Sequence, residues 1–260
     1  MDPLMASNPY HNTKTALLAM GRQQVWSLMA SLFGDLAQAE GSTIDGPVLS
    51  AIMKEMDVRP EAVRVALYRL RNDGWIVSEK LGRTGRHSLT ITSRAETLAA
   101  SARIYASPLA QENGWQVILT QYTEAHCAAE RQGFAALMPR VYVGSLQLAA
   151  PEGALVLTGS DVPDWLREQL AAVMLEQDYE ALLPHVKQAH ETLTHGMLTP
   201  LQTAVLRCLL VHNWRRIILR HPSLPRALLP NDWAGHECHL LIDALLSRFP
   251  RPEIDTIMPN

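Results

Sequence analysis

Cysteine is scarce in this 260-residue chain, and its placement excludes two architectures. The three residues, Cys127, Cys208 and Cys238, are odd in number and far apart, and none forms a Cys-x-x-Cys pair. That argues against a disulfide frame and fits free thiols in a reducing compartment. No apolar run is long enough to span a bilayer, and the start lacks the charged-then-apolar layout of a signal peptide. A cytoplasmic protein without membrane association is therefore expected. Catalytic signatures are missing as well: there is no G-x-S-x-G, no P-loop, and no G-x-G-x-x-G after a strand. Repeats and low-complexity linkers are absent, which leaves one to three ordinary domains with real hydrophobic cores.

What the chain does contain is a charge asymmetry. Its formal net charge is −3. Between Lys54 and Arg94, however, nine basic residues face five acidic ones, so the rest of the chain carries a clear acidic excess. A local basic surface in an acidic chain suits one nucleic-acid-facing lobe and other lobes with different work.

That basic segment has a specific layout. Arg59-Pro60 is a helix start, and Val63, Ala66, Leu67 and Leu70 recur at helical spacing as one apolar stripe. Arg64, Tyr68 and Arg71 fall on another face, with Arg69 near the edge, and Asn72-Asp73-Gly74 ends the helix. Upstream, Val25, Leu28, Met29, Leu32, Phe33 and Leu36 predict a first helix, and Asp45-Gly46-Pro47 opens a second that ends near Met56. Only Asp57-Val58 separates that helix from Arg59, which gives two helices joined by a tight turn. Downstream, Trp75 to Leu81 and Ser88 to Thr92 read as strands around a basic turn, Gly82-Arg83-Thr84-Gly85-Arg86-His87. A helix apolar behind and basic in front fits a DNA major groove; alone it also reads as a solvated face. The candidate DNA contacts are Arg59, Arg64, Tyr68, Arg69, Arg71, Arg83 and Arg86.

The middle of the chain predicts a small α+β unit. Strands are expected at Trp115–Thr120, Phe134–Met138, Val141–Ser145 and Ala154–Thr158, with helices over Glu124–Arg131 and from Val162-Pro163 through Val173. Farther on, Thr199-Pro200 caps a long helix running to about Arg220, where His221-Pro222 stops it. Its apolar residues cover much of the circumference, so His212, Arg215 and Arg216 are unexpected there. They read either as a pocket for an acidic effector or as an internal salt-bridge network, with Glu180 or Asp232 as partners. His236-Glu237-Cys238-His239 invites a zinc reading, but consecutive helical positions diverge and no second cluster completes a site. No metal site and no cofactor are expected.

Several motifs together resemble the PaaX family, the phenylacetate-degradation repressors of bacteria. They are Ser31-Leu32-Phe33-Gly34-Asp35, Val63-Arg64-Val65-Ala66-Leu67-Tyr68-Arg69-Leu70, Asp73-Gly74-Trp75, Gly82-Arg83 and Gly133-Phe134. Two longer ones follow, Leu210-Val211-His212-Asn213-Trp214-Arg215-Arg216 and Leu224 through Gly235, so the resemblance runs from about residue 21 to about residue 250. It implies a flexible tail over 1–20 and a winged helix-turn-helix over 21–106. A ferredoxin-like, Cas2-like domain over 107–176 and a helical effector and oligomerisation domain over 177–260 would follow. It also implies a homodimeric repressor of aromatic-acid catabolism, bound to an inverted repeat in double-stranded DNA and released by an acyl-coenzyme A. A Cas2-type nuclease would need metal-binding carboxylates, and Thr120-Gln121 stands where an aspartate belongs. Two other readings stay open on the sequence: an acyl-CoA-processing enzyme with a vestigial winged helix, and a protein-interaction module.

Overall fold

In a computed structural model that describes residues 8–21, 24–82, 84–108, 114–121, 129–130, 132–159 and 161–257, helices combine with two small antiparallel sheets. The class is α+β. The chain divides into two compact units. Unit 1 comprises Met1–Tyr105, Pro184–Arg215 and Leu241–Asn260, and unit 2 comprises Ala106–Leu183 and Arg216–Leu240. The segment 177–260 therefore contributes to both.

Unit 1 opens with helix α1 (Pro9–Ala19), where a flexible tail was expected. Asn8 caps it, its side chain accepting the Tyr10 N–H at 3.0 Å. The inward positions of α1 are Tyr10, Thr13, Lys14 and Leu17. Two of these four are polar, so the stripe is hard to see in the sequence. Lys14 and Tyr10 are buried because they are bonded: Lys14 Nζ donates to the Glu55 carbonyl at 2.8 Å, and Tyr10 Oη to Glu55 Oε1 at 3.1 Å.

Helix α2 (Val25–Leu36) forms where the apolar spacing predicts, but it is enclosed on every side. All residues from Leu28 to Asp35 are buried, including Ser31 and Asp35. Helices α3 (Gly46–Glu55) and α4 (Pro60–Asn72) follow, then strands β2 (Ile76–Leu81) and β3 (Thr84–Leu89). A two-residue strand, β1 (Ile44–Asp45), joins β3 to complete a sheet of order β1-β3-β2. The hairpin departs from its expected layout. Leu81 pairs with Thr84, and Thr84 through His87 are strand residues. Their polar side chains hid a strand that is paired on both sides, with Asp45↔Arg86 on one and Ser78↔His87 on the other. The strand also ends earlier than expected, because Thr90 caps a further helix, α5 (Ile91–Ile104), accepting the Ser93 N–H at 3.2 Å.

In unit 2, strands β4 (Trp115–Leu119), β5 (Ala135–Met138), β6 (Val141–Ser145) and β7 (Leu155–Thr158) form an antiparallel sheet of order β5-β6-β4-β7. Alternation sends neighbouring residues to opposite faces. Val143 and Ala135 join Leu166 and Leu170 of α6 (Asp164–Val173), whereas Tyr142, Ile118 and Phe134 form a second cluster. The expected helix over Glu124–Arg131 lies largely outside the described residues. Helices α7 (Glu176–Thr192), α8 (Pro200–Ile218) and α9 (Ala234–Arg248) each give residues to both units, and Pro184 inside α7 marks one passage.

One ion-pair network joins the separate stretches of unit 1. Asp35 Oδ2 accepts from Arg207 Nε at 2.8 Å. Asp35 Oδ1 accepts from Arg207 Nη2 at 2.8 Å, Arg251 Nε at 2.9 Å and Tyr105 Oη at 2.8 Å. Burial alone would raise the Asp35 carboxyl, but the Arg207 and Arg251 guanidiniums outweigh it and hold it below the usual aspartate value.

Two outcomes follow from these contacts. Deleting residues 1–19 removes the buried Tyr10 and Leu17 and should cost about 3 kcal/mol or more, read as a lower melting temperature; a dispensable tail would leave the melt unchanged. Asp35→Asn leaves Arg207 buried without its counter-ion and should destabilise by about 3–5 kcal/mol. Because the folded carboxyl is depressed, this stability is present above the ordinary aspartate value of 3.8 and is lost as pH falls below it. Acid unfolding followed by circular dichroism should therefore be shallower in Asp35→Asn than in the parent.

Candidate nucleic-acid interface

The link between α3 and α4 is Met56-Asp57-Val58-Arg59. It is closed by the Asp57 and Val58 N–H groups, which donate to the carbonyls of Lys54 at 2.9 Å and Met53 at 3.0 Å. Asp57 takes the left-handed conformation with φ of 60°, a geometry aspartate tolerates better than most side chains. Lys14 lies 3.2 Å from its carboxylate, so α1 braces the turn that sets the angle between the two helices.

Helix α4 then sorts its side chains as the spacing predicts. Val63, Ala66 and Leu70 are buried, Leu67 partly so, and α4 packs on α2 and α3. Arg59, Arg64, Tyr68, Arg69 and Arg71 are all exposed. Gly74, with φ of 66°, turns the chain out of the helix.

The exposed cations are not equivalent. Arg64 Nη2 lies 3.0 Å from Glu61 Oε1, with both side chains more than 70% exposed. Such a pair is worth about 0–1 kcal/mol, so Arg64 can leave it for a stronger acceptor. Arg69 is held at the edge of the face, with Nε 3.6 Å from Asp73 and its guanidinium 4.7 Å from the centre of the Trp26 ring. Arg71 stands exposed near the hairpin. His87 is pushed below the ordinary histidine value by burial first and by the Arg71 charge second, against an opposing pull from Asp45.

Beside these cations stands Val65, 68% exposed, with Tyr68 at 61%. Val65 was not among the expected contacts. The available signal was an apolar residue lying off the inward stripe, between two residues already singled out. A methyl-bearing side chain among arginines matches base edges that alternate guanine acceptors with thymine methyls.

The hairpin residues differ from their expected roles. Arg86 is a half-buried strand residue with Nε 3.0 Å from Asp45 Oδ1, not a free cation at a loop tip. His87 is 8% exposed, with Nδ1 2.8 Å from Ser78 Oγ. Arg83 lies outside the described residues.

The α8 candidates separate. His212 is buried, with Nδ1 3.0 Å from Ser31 Oγ, and Arg215 Nη2 donates to Ser27 Oγ at 3.0 Å. Both thus face α2 within unit 1, whereas Arg216 belongs to unit 2. The buried ion pair of α8 is made one turn earlier, by Arg207, with Asp35. Neither residue had been singled out on charge, although Asp35 closes the Ser31–Asp35 motif. In unit 2, His239 Nε2 lies 2.7 Å from the Ala106 carbonyl and Cys238 Sγ reaches the Tyr179 carbonyl. Among the described residues no three His, Cys, Asp or Glu side chains converge as a metal site. No helix of the described residues is long and apolar enough to cross a membrane.

Comparison with known proteins adds to this geometry. The chain is similar to the transcriptional repressor PaaX of Escherichia coli (strain K12), 27% identical over 248 residues that cover 83% of this chain and 77% of that protein. It also resembles the solved structure of the uncharacterized protein Rv0674 from Mycobacterium tuberculosis, with a TM-score of 0.51 and 19% identity over 85% of this chain and 94% of that one. That second likeness is one of fold. The family description "PaaX-like protein" matches residues 24–92, which hold α2, α3, α4 and the hairpin. "PaaX-like protein C-terminal domain" matches residues 170–253, which include Arg207, Arg251 and α8. With both parts matched in order, the chain belongs to the PaaX-like family.

Proposed function

We propose that the chain is a ligand-responsive, DNA-binding transcriptional repressor that reads duplex DNA with α4. The observation that carries this reading is the outward face of α4, where Arg64, Val65, Tyr68 and Arg71 all stand exposed on a helix entered through a four-residue turn. In this reading α2, α3, α4 and the hairpin form a winged helix-turn-helix. The sheet of unit 2 is ferredoxin-like, a reading supported by its order, with the first and third strands central and the second and fourth at the edges. Membership of the PaaX-like family and the likeness to a named repressor support regulation rather than catalysis, and the chain is not an enzyme.

Arg64 and Tyr68 read base edges, and Val65 meets a thymine methyl. Arg59 and Arg71 lie at the groove margins, and Arg69, Arg83 and Arg86 hold phosphates. Arg86 commits one N–H to Asp45, which leaves further guanidinium donors for a phosphate oxygen. A homodimer in the cytoplasm sets two such heads about 34–36 Å apart on an inverted repeat. Release comes from a small-molecule effector acting through α8, where His212, Arg215 and Arg216 cluster in sequence; an acyl-coenzyme A is the class the family resemblance implies.

The operator is sought by gel shift on DNA upstream of the chain's own gene and its neighbours. On that operator Arg64→Ala should cost about 1–3 kcal/mol and relax preference at one base pair, with little change on random DNA. An equal loss on both DNAs would sink the base-reading role. Arg69→Ala should weaken all sequences alike and flatten the dependence of log K on log salt by about 0.9. An unchanged slope would remove Arg69 from the phosphate contacts.

A further inference from the structure

In unit 1 a half-open cavity of about 180 Å³ is bounded by α2, α5, α8 and Trp75. It exists because the facing helices carry small residues there: Ala30, Ser31 and Gly34 on α2, and Thr97, Ala100 and Ser101 on α5. At Gly34 the two helices all but touch, since an added Cβ would come within 3.0 Å of Thr97 Cγ2. Away from that contact the short side chains leave the space open.

The walls are chemically divided. One part is polar, where Arg215 of α8 is held by Ser27 at 3.0 Å and Ser31 is held by His212 at 3.0 Å. The other part is apolar, with Ala30, Ala100, Ile104 and Val211, and two aromatic side chains, Trp75 and Tyr105. Glu96 also borders the space, but it is an exposed residue whose charge water screens.

Size decides what can enter. A cavity of about 150 Å³ holds one benzene ring, whereas sites that enclose drug-sized ligands measure roughly 300–1,000 Å³. One ring with a short polar group fits this space; the nucleotide of a coenzyme A ester does not. A guanidinium on the wall of a largely apolar space is a carboxylate-binding group.

We propose that this cavity binds a small carboxylate with a single-ring body, its carboxylate on Arg215 and its ring between Trp75 and Tyr105, and that its occupancy changes DNA affinity. The second half rests on the DNA-binding reading above. Trp75 supplies the coupling. Its N–H donates to the Leu70 carbonyl at the end of α4, at 2.8 Å, and its own carbonyl accepts from the Thr90 N–H and the Ser93 hydroxyl. A ligand against this side chain presses on the residue that joins α4, the hairpin and α5. It shifts DNA binding to the extent that it prefers one of their arrangements.

The test uses the purified full chain, first without DNA. Isothermal titration is run with benzoate, cyclohexanecarboxylate, the neutral isostere benzamide, and benzoyl-coenzyme A. Benzoate should bind once per chain, about tenfold or more tighter than benzamide, the difference expected of a hydrogen-bonded ion pair. Arg215→Gln should erase that preference while leaving benzamide affinity unchanged, a pattern that misfolding cannot produce. Ala100→Leu, with a cooperative melt retained, should abolish both. If neither carboxylate binds at millimolar concentration, or if only benzoyl-coenzyme A binds, the assignment is overturned. Gel shifts with and without benzoate then test the coupling. Benzoate binding with unaltered DNA affinity overturns the regulatory half and leaves the DNA-binding reading standing. Benzoate binding in a chain that shifts no DNA overturns the DNA-binding reading and leaves the cavity assignment intact.

Discussion

Unit 1 depends on the carboxylate of Asp35. Three stretches of chain far apart in sequence meet there, through Asp35 and Tyr105, through Arg207, and through Arg251. A buried carboxylate loses several kcal/mol of hydration, and only near-complete hydrogen bonding offsets that loss. Asp35 receives four bonds, and Arg207 meets both of its oxygens through Nε and Nη2. Arg207 Nη1 donates in turn to the carbonyls of Leu246 at 2.9 Å and Phe249 at 2.6 Å. Those groups lie at the C-terminal end of α9, where carbonyls lack helical partners and a cation is favoured. The network thus also caps a helix. Its value lies less in net stability than in register, since a slip of α8 by one residue would strand a buried charge.

That anchoring explains why α2 is buried all round. A helix at the edge of a DNA-binding head would ordinarily keep one solvated face. Here α8 covers the side that α4 and α5 leave open, and the polar residues of α2 face it: Ser31 meets His212, and Asp35 meets Arg207. The position of α4 is therefore set through α2 by a segment more than a hundred residues later in the chain. Any influence of α8 on DNA reading has a short physical route, from α8 through α2 to the inward side of α4.

Legibility followed the kind of interaction. Helix α4, its inward stripe and its Gly74 exit were readable, because apolar periodicity and a left-handed glycine are local signals. The strands of unit 2 were readable within a residue or two for the same reason. Helix α1 was not, because Thr13 and Lys14 occupy inward positions, and Lys14 is accommodated only by distant partners at Glu55 and Asp57. Strand β3 was misplaced because Arg86 and His87 look like loop residues until Asp45 and Ser78 are set beside them. The Asp35 network was missed because its members are separated by up to 216 positions. Long-range polar pairing leaves no periodicity to find.

The hairpin makes the same point about function. Basic residues in a hairpin invite the reading that all of them touch DNA, yet Arg86 and His87 first serve to fix the hairpin. Strand β1 runs directly into α3, and its pairing with β3 ties the hairpin to the start of α3. Gly46 at the start of α3 approaches so closely that a Cβ there would lie 3.3 Å from the Gly85 carbonyl. The Asp45–Arg86 pair reinforces that junction, and burial, then the Arg71 charge, hold the His87 imidazole below the ordinary histidine value. A hairpin held this way and the helix-turn-helix beside it keep little freedom relative to one another. Phosphate contacts fix register without reading sequence, so in a DNA-binding protein rigidity between hairpin and helix matters more to sequence reading than one additional cation.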